Sequence, residues 1–255
     1  METIQSQWIT PLEQQQIYSV VCFGDSITNG LISANYVDLL RQRLAPKGFQ
    51  MINAGVNGDH SVNLLRRIRR VIALQPDYVV ILIGTNDINA EVNDSMFWIS
   101  RVLKGISQRP TAEGYRRTML EIVQKLKAET SARIALASPP LIGEDLDSAA
   151  NRRARDYCAA LREVATQEGA AYLPVHERQE ETLRAEGVSH GGEYTRSALR
   201  SVELVLCHNI LGESYDSISR RRGFHLVTDG IHMNTRGAAI IAAEIEKFLL
   251  ASVQS

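Results

Sequence analysis

The sequence has few of the features that mark disulfide-rich, membrane-spanning or nucleic-acid-binding proteins. Its 255 residues include only three cysteines, an odd number at widely separated positions, which excludes a disulfide framework and a zinc motif. Basic and acidic side chains nearly balance, at 28 and 29, so the charge indicates neither a nucleic-acid partner nor a membrane-surface partner. No apolar run approaches the length of a membrane-spanning helix, and we therefore expect no stable membrane insertion.

The N-terminal segment METIQSQWITPLEQQQ has no basic start followed by a continuous apolar stretch. Since secretory signal peptides show that pattern, we expect a cytoplasmic protein. Arginines cluster locally at 66–70 and at 220–222. We interpret these clusters as solvated helix faces or loops, because acidic residues balance them elsewhere in the chain.

Short apolar runs rich in β-branched residues alternate with longer segments of helical period. The predicted strands are Tyr18–Phe23, Phe49–Asn53, Tyr78–Ile83, Arg133–Ser138 and Ala170–Leu173. The predicted helices lie near 35–45, 61–74, 112–129 and 147–168, with a last helix from about Thr235 to Ala251. Strands that alternate with helices imply right-handed crossovers and a parallel sheet covered on both faces. The sequence thus predicts one three-layer α/β/α domain over residues 1–255.

Two insertions, near 88–111 and 177–225, interrupt this pattern. The first contains SMFWISRVLKGI, and the second contains SALRSVELVLCHNILG, which predicts an amphipathic helix that ends at Gly212. Loops on a rigid scaffold often carry specificity, but extra packing or a contact between copies in a homo-oligomer explains the insertions equally well. We nominate Phe97 and Trp98 as a wall of a substrate pocket, although such residues more often belong to a core.

Unusual polar residues follow each of the first three predicted strands. These segments are GDS at 24–26, NAGVNGDHS at 53–61 and GTND at 84–87. Ligands meet a parallel sheet at the carboxyl ends of its strands. If the strand order is 2-1-3-4-5, the three loops lie side by side and form one site.

The residue types in these loops suit the stabilisation of a negative oxygen. Ser26 stands at a strand-to-helix turn, where the helix directs backbone N–H groups towards it. Asn86 offers a side-chain NH₂, and a glycine such as Gly58 lets a backbone N–H approach closely, although Gly55 is near. Taken alone, Ser26 is more simply a helix cap, and Asn86 could merely stabilise a turn.

The segment TDGIHMN at 228–234 supplies a base. Asp229 and His232 are three positions apart just before the last predicted helix, so the carboxylate can hold one imidazole nitrogen while the other faces Ser26. A histidine with a pKa near neutrality is suited to take and return the proton of a serine hydroxyl. An Asp-x-x-His pair alone could equally be a turn and a helix start.

The chain resembles the SGNH hydrolases, also called the GDSL family of lipases and esterases. The matching blocks are GDSIT at 24–28, NAGVNGD at 53–59, GTND at 84–87 and DGIH at 229–232. One block alone would be weak evidence, but four in this order are specific. Two departures are the isoleucine at position 27, where the family usually has leucine, and a longer segment before DGIH.

The resemblance implies a flavodoxin-like, five-stranded parallel sheet and a Ser-Asp-His triad. Ser26 would be the nucleophile, His232 the base and Asp229 its orienting partner. The oxyanion hole would comprise the Ser26 N–H, the Gly58 N–H and the Asn86 side chain. The family needs no metal and no organic cofactor and hydrolyses esters, thioesters or occasionally amides. We therefore expect a carboxylic ester hydrolase whose substrate is a small-molecule or lipid-like ester, with a carbohydrate O-acetyl ester or a thioester as alternatives.

Two functions of other classes stay open at this point. A flavodoxin-like binding module without catalysis would use the same first loop to hold phosphate or a flavin. A metal-dependent phosphoesterase on a similar sheet is the other, although the remaining histidines show no ligand spacing with carboxylates. A typical α/β-hydrolase is excluded, because Ser26 does not lie in a G-x-S-x-G turn.

Overall fold

Five parallel strands form the centre of the fold. The structure, a computed structural model, describes residues 16–187, 203–204, 207–208, 210 and 212–253. The strands are β1 (Tyr18–Gly24), β2 (Phe49–Gly55), β3 (Tyr78–Leu82), β4 (Arg133–Ala137) and β5 (Ala171–Leu173). They pair in the order β2-β1-β3-β4-β5, and every pairing is parallel. The predicted sheet and its strand order are therefore confirmed.

Helices connect the strands and cover the sheet. They are α1 (Ser26–Asn29), α2 (Tyr36–Leu44), α3 (Ser61–Ile72), α4 (Thr85–Val92), α5 (Asp94–Lys104), α6 (Ala112–Glu129), α7 (Ala149–Glu168), α8 (Val175–Glu186), α9 (Tyr215–Arg221) and α10 (Thr235–Val253). A short 3₁₀ helix, Ala45–Lys47, follows α2. The predicted helices agree with α2, α3, α6, α7 and α10 to within a few residues.

The alternation of side chains along β1 separates two apolar layers. Val20 and Cys22 pack with α2 and α10 on one face of the sheet. Val21 and Phe23 pack with α3, α6 and α7 on the other face. Successive side chains of a strand point to opposite faces, so one buried strand contributes to both layers. The predicted three-layer α/β/α arrangement is confirmed.

Helix α3 shows how the sequence pattern fixes the packing. Leu64, Ile68 and Val71 form its buried stripe, whereas the arginines at 66, 69 and 70 are exposed. Burying one such aliphatic side chain contributes roughly 1.5–3 kcal/mol, so the stripe determines which side of α3 faces the sheet. A charged residue at Ile68 would place an unpaired charge inside this layer and break the packing.

The structure describes the two predicted insertions to different extents. Residues 88–111 include the end of α4 and all of α5, a helix that Asn93 caps by accepting hydrogen bonds from the backbone N–H groups of Ser95 and Met96. The insertion at 177–225 begins inside α8, and the helix predicted for 197–212 falls largely outside the described residues. None of the helices in the described part of the chain is long and apolar enough to cross a membrane.

Candidate active site

Ser26 lies where β1 turns into α1. The side chain of the preceding residue, Asp25, accepts a hydrogen bond of 3.0 Å from the N–H of Ile27 and so caps the short helix. The hydroxyl of Ser26 is therefore not needed as the cap. A glycine must stand at position 24, because a Cβ there would lie 2.4 Å from the carbonyl oxygen of Leu82.

The loop between α9 and α10 brings a histidine to this hydroxyl. Oγ of Ser26 lies 3.1 Å from Nε2 of His232, and Nδ1 of His232 lies 2.8 Å from Oδ2 of Asp229. The other carboxylate oxygen of Asp229 accepts the backbone N–H groups of Ile231 and His232. Ser26, Asp229 and His232 are all buried. The structure thus brings together the three residues that the sequence nominated for the triad.

The electrostatics of the pair favour a basic imidazole. Burial by itself would lower the pKa of His232, but the Asp229 carboxylate outweighs it and raises that pKa above its usual 6.5. Burial would raise the pKa of Asp229, but the imidazole and the backbone N–H bonds lower it well below its usual 3.8. An ionised Asp229 accepts the Nδ1–H of neutral His232, which leaves the lone pair of Nε2 directed at Ser26.

A buried carboxylate holds the segment before the triad loop, and sequence reasoning missed it. Glu144 accepts hydrogen bonds of 2.6–3.1 Å from the backbone N–H groups of His225, Leu226 and Val227. The N–H of Gly143 also donates to the carbonyl oxygen of Gly230. Nothing in the local sequence around Glu144 distinguishes it from a surface loop residue, because its partners are 81–83 positions away.

Asn86, in the first turn of α4, lies beside the loop that contains Gly58 and Asp59. The Nδ2 group of Asn86 donates to the carbonyl oxygen of Asp59 at 3.0 Å and approaches Oδ2 of Asp25 at 3.4 Å. Its amide is therefore next to the residue that precedes Ser26. Gly58 has a φ of +74°, a left-handed conformation that favours glycine. Gly55 is constrained differently, since a Cβ there would lie 2.2 Å from the backbone nitrogen of Asn29.

Buried charges connect these loops to one another. Asp87 accepts hydrogen bonds from the backbone N–H and the hydroxyl of Ser61, at 3.0 and 2.7 Å. Asp59 accepts from Arg67 at 2.8 Å and from Lys104 at 3.0 Å. Arg67 also donates to the carbonyl oxygen of Gly24, at the end of β1. These hydrogen bonds and ion pairs connect the three segments at the carboxyl ends of the strands.

Two further carboxyl groups at this edge show the effect of burial. Burial raises the pKa of Asp25 to about 7, against its usual 3.8. Burial also raises the pKa of Asp87. Both residues accept the hydrogen bonds described above, Asp25 from the N–H of Ile27 and Asp87 from Ser61.

The two aromatic residues nominated as a pocket wall have different environments. Phe97 is buried in a small cluster with Ala90 and Ile106, and the guanidinium group of Arg109 covers its ring. The side chain of Trp98 is largely exposed. The packing of Phe97 is that of a core residue, and the pocket role of both residues stays a prediction.

The described part of the chain contains no group of three histidine, cysteine or acidic side chains placed to hold a metal ion.

Comparisons with known proteins identify related sequences and folds. A family model described as the GDSL-like lipase/acylhydrolase family matches residues 22–240. Comparison with curated proteins found no match. Among solved structures, the acetylxylan esterase Axe2 from Geobacillus stearothermophilus has 20% sequence identity and a TM-score of 0.61, over 92% of this chain and 95% of that one.

Two other solved structures are similar to the same extent. LAE5, an α/β hydrolase enzyme from the metagenome of Lake Arreo, Spain, has 22% identity and a TM-score of 0.61, over 91% of this chain and 94% of its own. The acetyl xylan esterase AlAXEase has 19% identity and a TM-score of 0.61, over 90% and 98% of the two chains. Three structures of Axe2 are described as catalytic mutants in which alanine replaces a serine, an aspartate or a histidine. At these identities the likeness establishes the fold alone.

Proposed function

The chain belongs to the GDSL-like lipase/acylhydrolase family, as its four sequence blocks indicated, and we propose that it works through an acyl-enzyme intermediate on Ser26. As a member of this family the protein is a carboxylic ester hydrolase. The observation that carries the proposed mechanism is the 3.1 Å contact between Oγ of Ser26 and Nε2 of His232. A hydroxyl is a weak nucleophile, and a base at hydrogen-bond distance is what activates it.

In the first half of the reaction, Oγ of Ser26 attacks the carbonyl carbon of the ester while Nε2 of His232 takes the hydroxyl proton. The imidazolium that forms is stabilised by the carboxylate of Asp229, which lies 2.8 Å from Nδ1. When the tetrahedral intermediate collapses, the bond to the alcohol oxygen breaks and the proton on Nε2 passes to the leaving alcohol. The acyl group then remains on Ser26.

In the second half, His232 acts on water. Nε2 takes a proton from the water molecule that attacks the acyl carbon, and the same proton returns to Oγ of Ser26 when the acid leaves. The enzyme is restored without a metal or an organic cofactor. The raised pKa of His232 keeps the imidazole a strong enough base for both proton transfers.

We assign the negative oxygen of each tetrahedral intermediate to the N–H of Ser26, the N–H of Gly58 and the amide of Asn86. Support comes from the packing of the three loops, in which the Asn86 amide already lies between Asp25 and the carbonyl of Asp59. Donors fixed before the reaction stabilise developing charge without reorganisation, which is the largest contribution in many enzymes. The catalytic mutants of Axe2 replace a serine, an aspartate and a histidine, the same three residue types as in the triad proposed here.

For the substrate we favour an ester with a lipid-like or aromatic acyl group. The reason is the apolar character of the insertion at 88–111, whose helix α5 adjoins the loop of Gly58 through the ion pair of Lys104 and Asp59. A Cβ at Gly58 would lie 2.9 Å from Cε of Lys104, so the two segments are in close contact.

A carbohydrate O-acetyl ester is the second candidate, and a specific observation favours it. A groove of about 420 Å³ lies beside the end of α1, and polar and aromatic side chains line it, including Asn35, His208 and Tyr215. The rings of His208 and Tyr215 stack at 3.9 Å, and the Tyr215 hydroxyl donates to the carbonyl oxygen of Leu31. Axe2 and AlAXEase are both acetylxylan esterases.

One set of rate measurements tests the mechanism and separates the two substrates. The purified protein is given p-nitrophenyl esters of increasing chain length, an acetylated xylo-oligosaccharide and an acyl thioester. We expect kcat/KM to rise with acyl length, and Ser26→Ala to abolish every rate while the circular dichroism spectrum is unchanged. Undiminished hydrolysis by Ser26→Ala would refute the mechanism. A clear preference for the acetylated sugar, lost selectively in Tyr215→Ala, would establish the second candidate.

A further inference from the structure

Helix α5 carries apolar side chains on both of its faces. Its inner face is packed through Phe97. Its outer face, defined here as Trp98, Ile99, Val102 and Leu103, is solvent-exposed, with exposed fractions of 58, 40, 79 and 74%. These positions are spaced one and four residues apart, so they form one continuous stripe along the helix. This differs from the pattern expected of a surface helix, whose outer side is normally polar.

Exposing such an apolar stripe to water is unfavourable in free energy. Single exposed apolar residues are common on protein surfaces, but contiguous apolar patches mark sites of interaction. None of these four side chains belongs to a described core cluster, so their apolar character is not explained by packing in the core. The outer face of α5 is therefore suited to contact something other than water.

Cationic side chains border this face. The guanidinium group of Arg101 lies over the ring of Trp98, 5.3 Å from its centroid. Arg66 of α3 donates to the carbonyl oxygens of Lys104 and Gly105, at the end of α5. Arg69 and Arg70 lie on the same exposed side of α3, at positions three and four residues further along.

The acidic group of α5 does not cancel this charge. The carboxylate of Asp94, at the other end of the helix, accepts a hydrogen bond of 2.5 Å from Arg109. Arg101 over Trp98 and Arg66 at the end of α5 are thus the cations shown beside the stripe, although the whole chain carries a formal net charge of −1. The arginines at 66, 69 and 70, which the sequence indicated as a solvated face, are exposed in the fold, and Arg66 reaches the end of α5.

We propose that the outer face of α5 docks the protein on an anionic lipid surface. Aliphatic side chains and a tryptophan that enter the headgroup region, with arginines beside them, are the pattern of helices that lie on such surfaces. Anionic headgroups complement the arginines and attract them over short distances. This is peripheral binding through one helix face, with no segment that spans the bilayer.

A second copy of this chain fits the face less well than a lipid surface does. In a two-fold dimer the same patch lies on both sides of the interface, so the arginines that border one stripe would approach those that border the other. An anionic lipid layer offers apolar groups and negative charge together. The docking also places α5, and through Lys104 the loop of Gly58, beside a source of lipid esters.

Vesicle flotation tests the proposal. The Ser26→Ala protein, which cannot hydrolyse the lipid, is mixed with vesicles of phosphatidylcholine alone or of phosphatidylcholine with phosphatidylglycerol. We expect binding that needs phosphatidylglycerol and weakens as salt is added, since it depends on exposed charges. The double change Val102→Asp with Leu103→Asp should lower the bound fraction about tenfold or more, because each carboxylate opposes insertion and repels the headgroups.

A matched control makes the same chemical change elsewhere. Leu74 is 49% exposed and follows α3 at the opposite edge of the sheet from Ser26, so Leu74→Asp should bind vesicles as the parent does. With Ser26 restored, the Val102→Asp, Leu103→Asp protein should hydrolyse soluble p-nitrophenyl acetate at the parent rate, which verifies folding.

Three results would overturn the proposal. The first is that the parent fails to bind vesicles with phosphatidylglycerol, and the second is that Leu74→Asp reduces binding as much as the double change. The third is a dimer in sedimentation equilibrium that the double change dissociates, with no binding to vesicles, because it would assign the face to a second copy. None of these results depends on the chemistry at Ser26, so the proposed reaction can stand if the docking fails.

Discussion

The hydroxyl oxygen of Ser26 lies 3.1 Å from Nε2 of His232, although the two residues are 206 positions apart in the sequence. The end of β1 fixes one partner, and the loop before α10 fixes the other. Both side chains are buried, so water competes little for their hydrogen bond. The contact depends on the whole sheet and on the packing of α10 against it.

The dependence of the rate on pH should follow the protonation of His232. The base acts only in its neutral form, and its pKa is raised above 6.5, so kcat/KM should fall as the pH drops through that raised pKa. Asp229→Asn removes the carboxylate that opposes burial, and the pKa of His232 should then fall. The acid limb of the pH profile should move to lower pH, while kcat falls by about 10³–10⁴-fold, as in serine proteases that lose this carboxylate.

An exposed carboxylate provides the control for that profile. Asp147 lies in the loop before α7 and is exposed, so Asp147→Asn should leave the rate and the acid limb unchanged. An acid limb that stays at the same pH in Asp229→Asn would contradict the assignment of His232 as the base that Asp229 controls.

Asn86→Ala should lower kcat by roughly 10²–10³-fold with little change in KM, because the amide acts on the transition state and not on the bound ester. Asn93→Ala is the comparison, since Asn93 caps α5 and has no catalytic assignment. Loss of that cap should cost about 1 kcal/mol in the free energy of unfolding and leave kcat unaltered. Equal kcat values for the two variants would contradict the assignment of Asn86 to the oxyanion hole.

Gly58→Ala should lower kcat by about tenfold or more, because a φ of +74° costs about 1–2 kcal/mol for alanine and the new Cβ meets Cε of Lys104. Gly169→Ala imposes similar strain, at a φ of +61°, where nothing lies within 4 Å of the added Cβ. Both variants should lose stability, but only the first should lose activity. Comparable kcat losses in the two would show that general destabilisation explains the effect.

Asp25 should make the stability depend on pH. Its folded-state pKa of about 7 lies above the usual 3.8, so its contribution to stability is full below 3.8 and is lost as the pH rises towards 7. Asparagine does not titrate, and the stability of Asp25→Asn relative to the parent should therefore improve between about pH 4 and about pH 8. Urea unfolding of both proteins across this range measures the difference. Parallel stability curves would contradict the burial of an ionisable carboxyl group at this position.

Most of the fold could be predicted because its signals are local. The alternation along β1 and the stripe of Leu64, Ile68 and Val71 on α3 are periods that the sequence displays directly. The order of the strands was expected from the order 2-1-3-4-5 that is common in such folds, and the structure has this order. The extent of the single domain over residues 1–255 stays a prediction.

The parts that escaped sequence reasoning are long-range contacts between polar groups. Glu144 binds backbone N–H groups near His225, and Arg67 reaches the carbonyl of Gly24, yet neither residue has a local pattern that indicates its partner. The same limit applies to α5, since the sequence shows apolar residues but not which of them face the core. Phe97 was grouped with Trp98 for this reason, although the structure buries the first and exposes the second.

The central claim is that Ser26 carries the acyl group during turnover, and trapping that group tests it most directly. The protein is mixed with excess p-nitrophenyl acetate, quenched in acid within the first turnover, digested and examined by mass spectrometry. We predict one acetyl group on the peptide that contains Ser26, with a matching burst of p-nitrophenol, and neither in Ser26→Ala. An acetyl group on another residue, or steady hydrolysis by Ser26→Ala, would contradict the account.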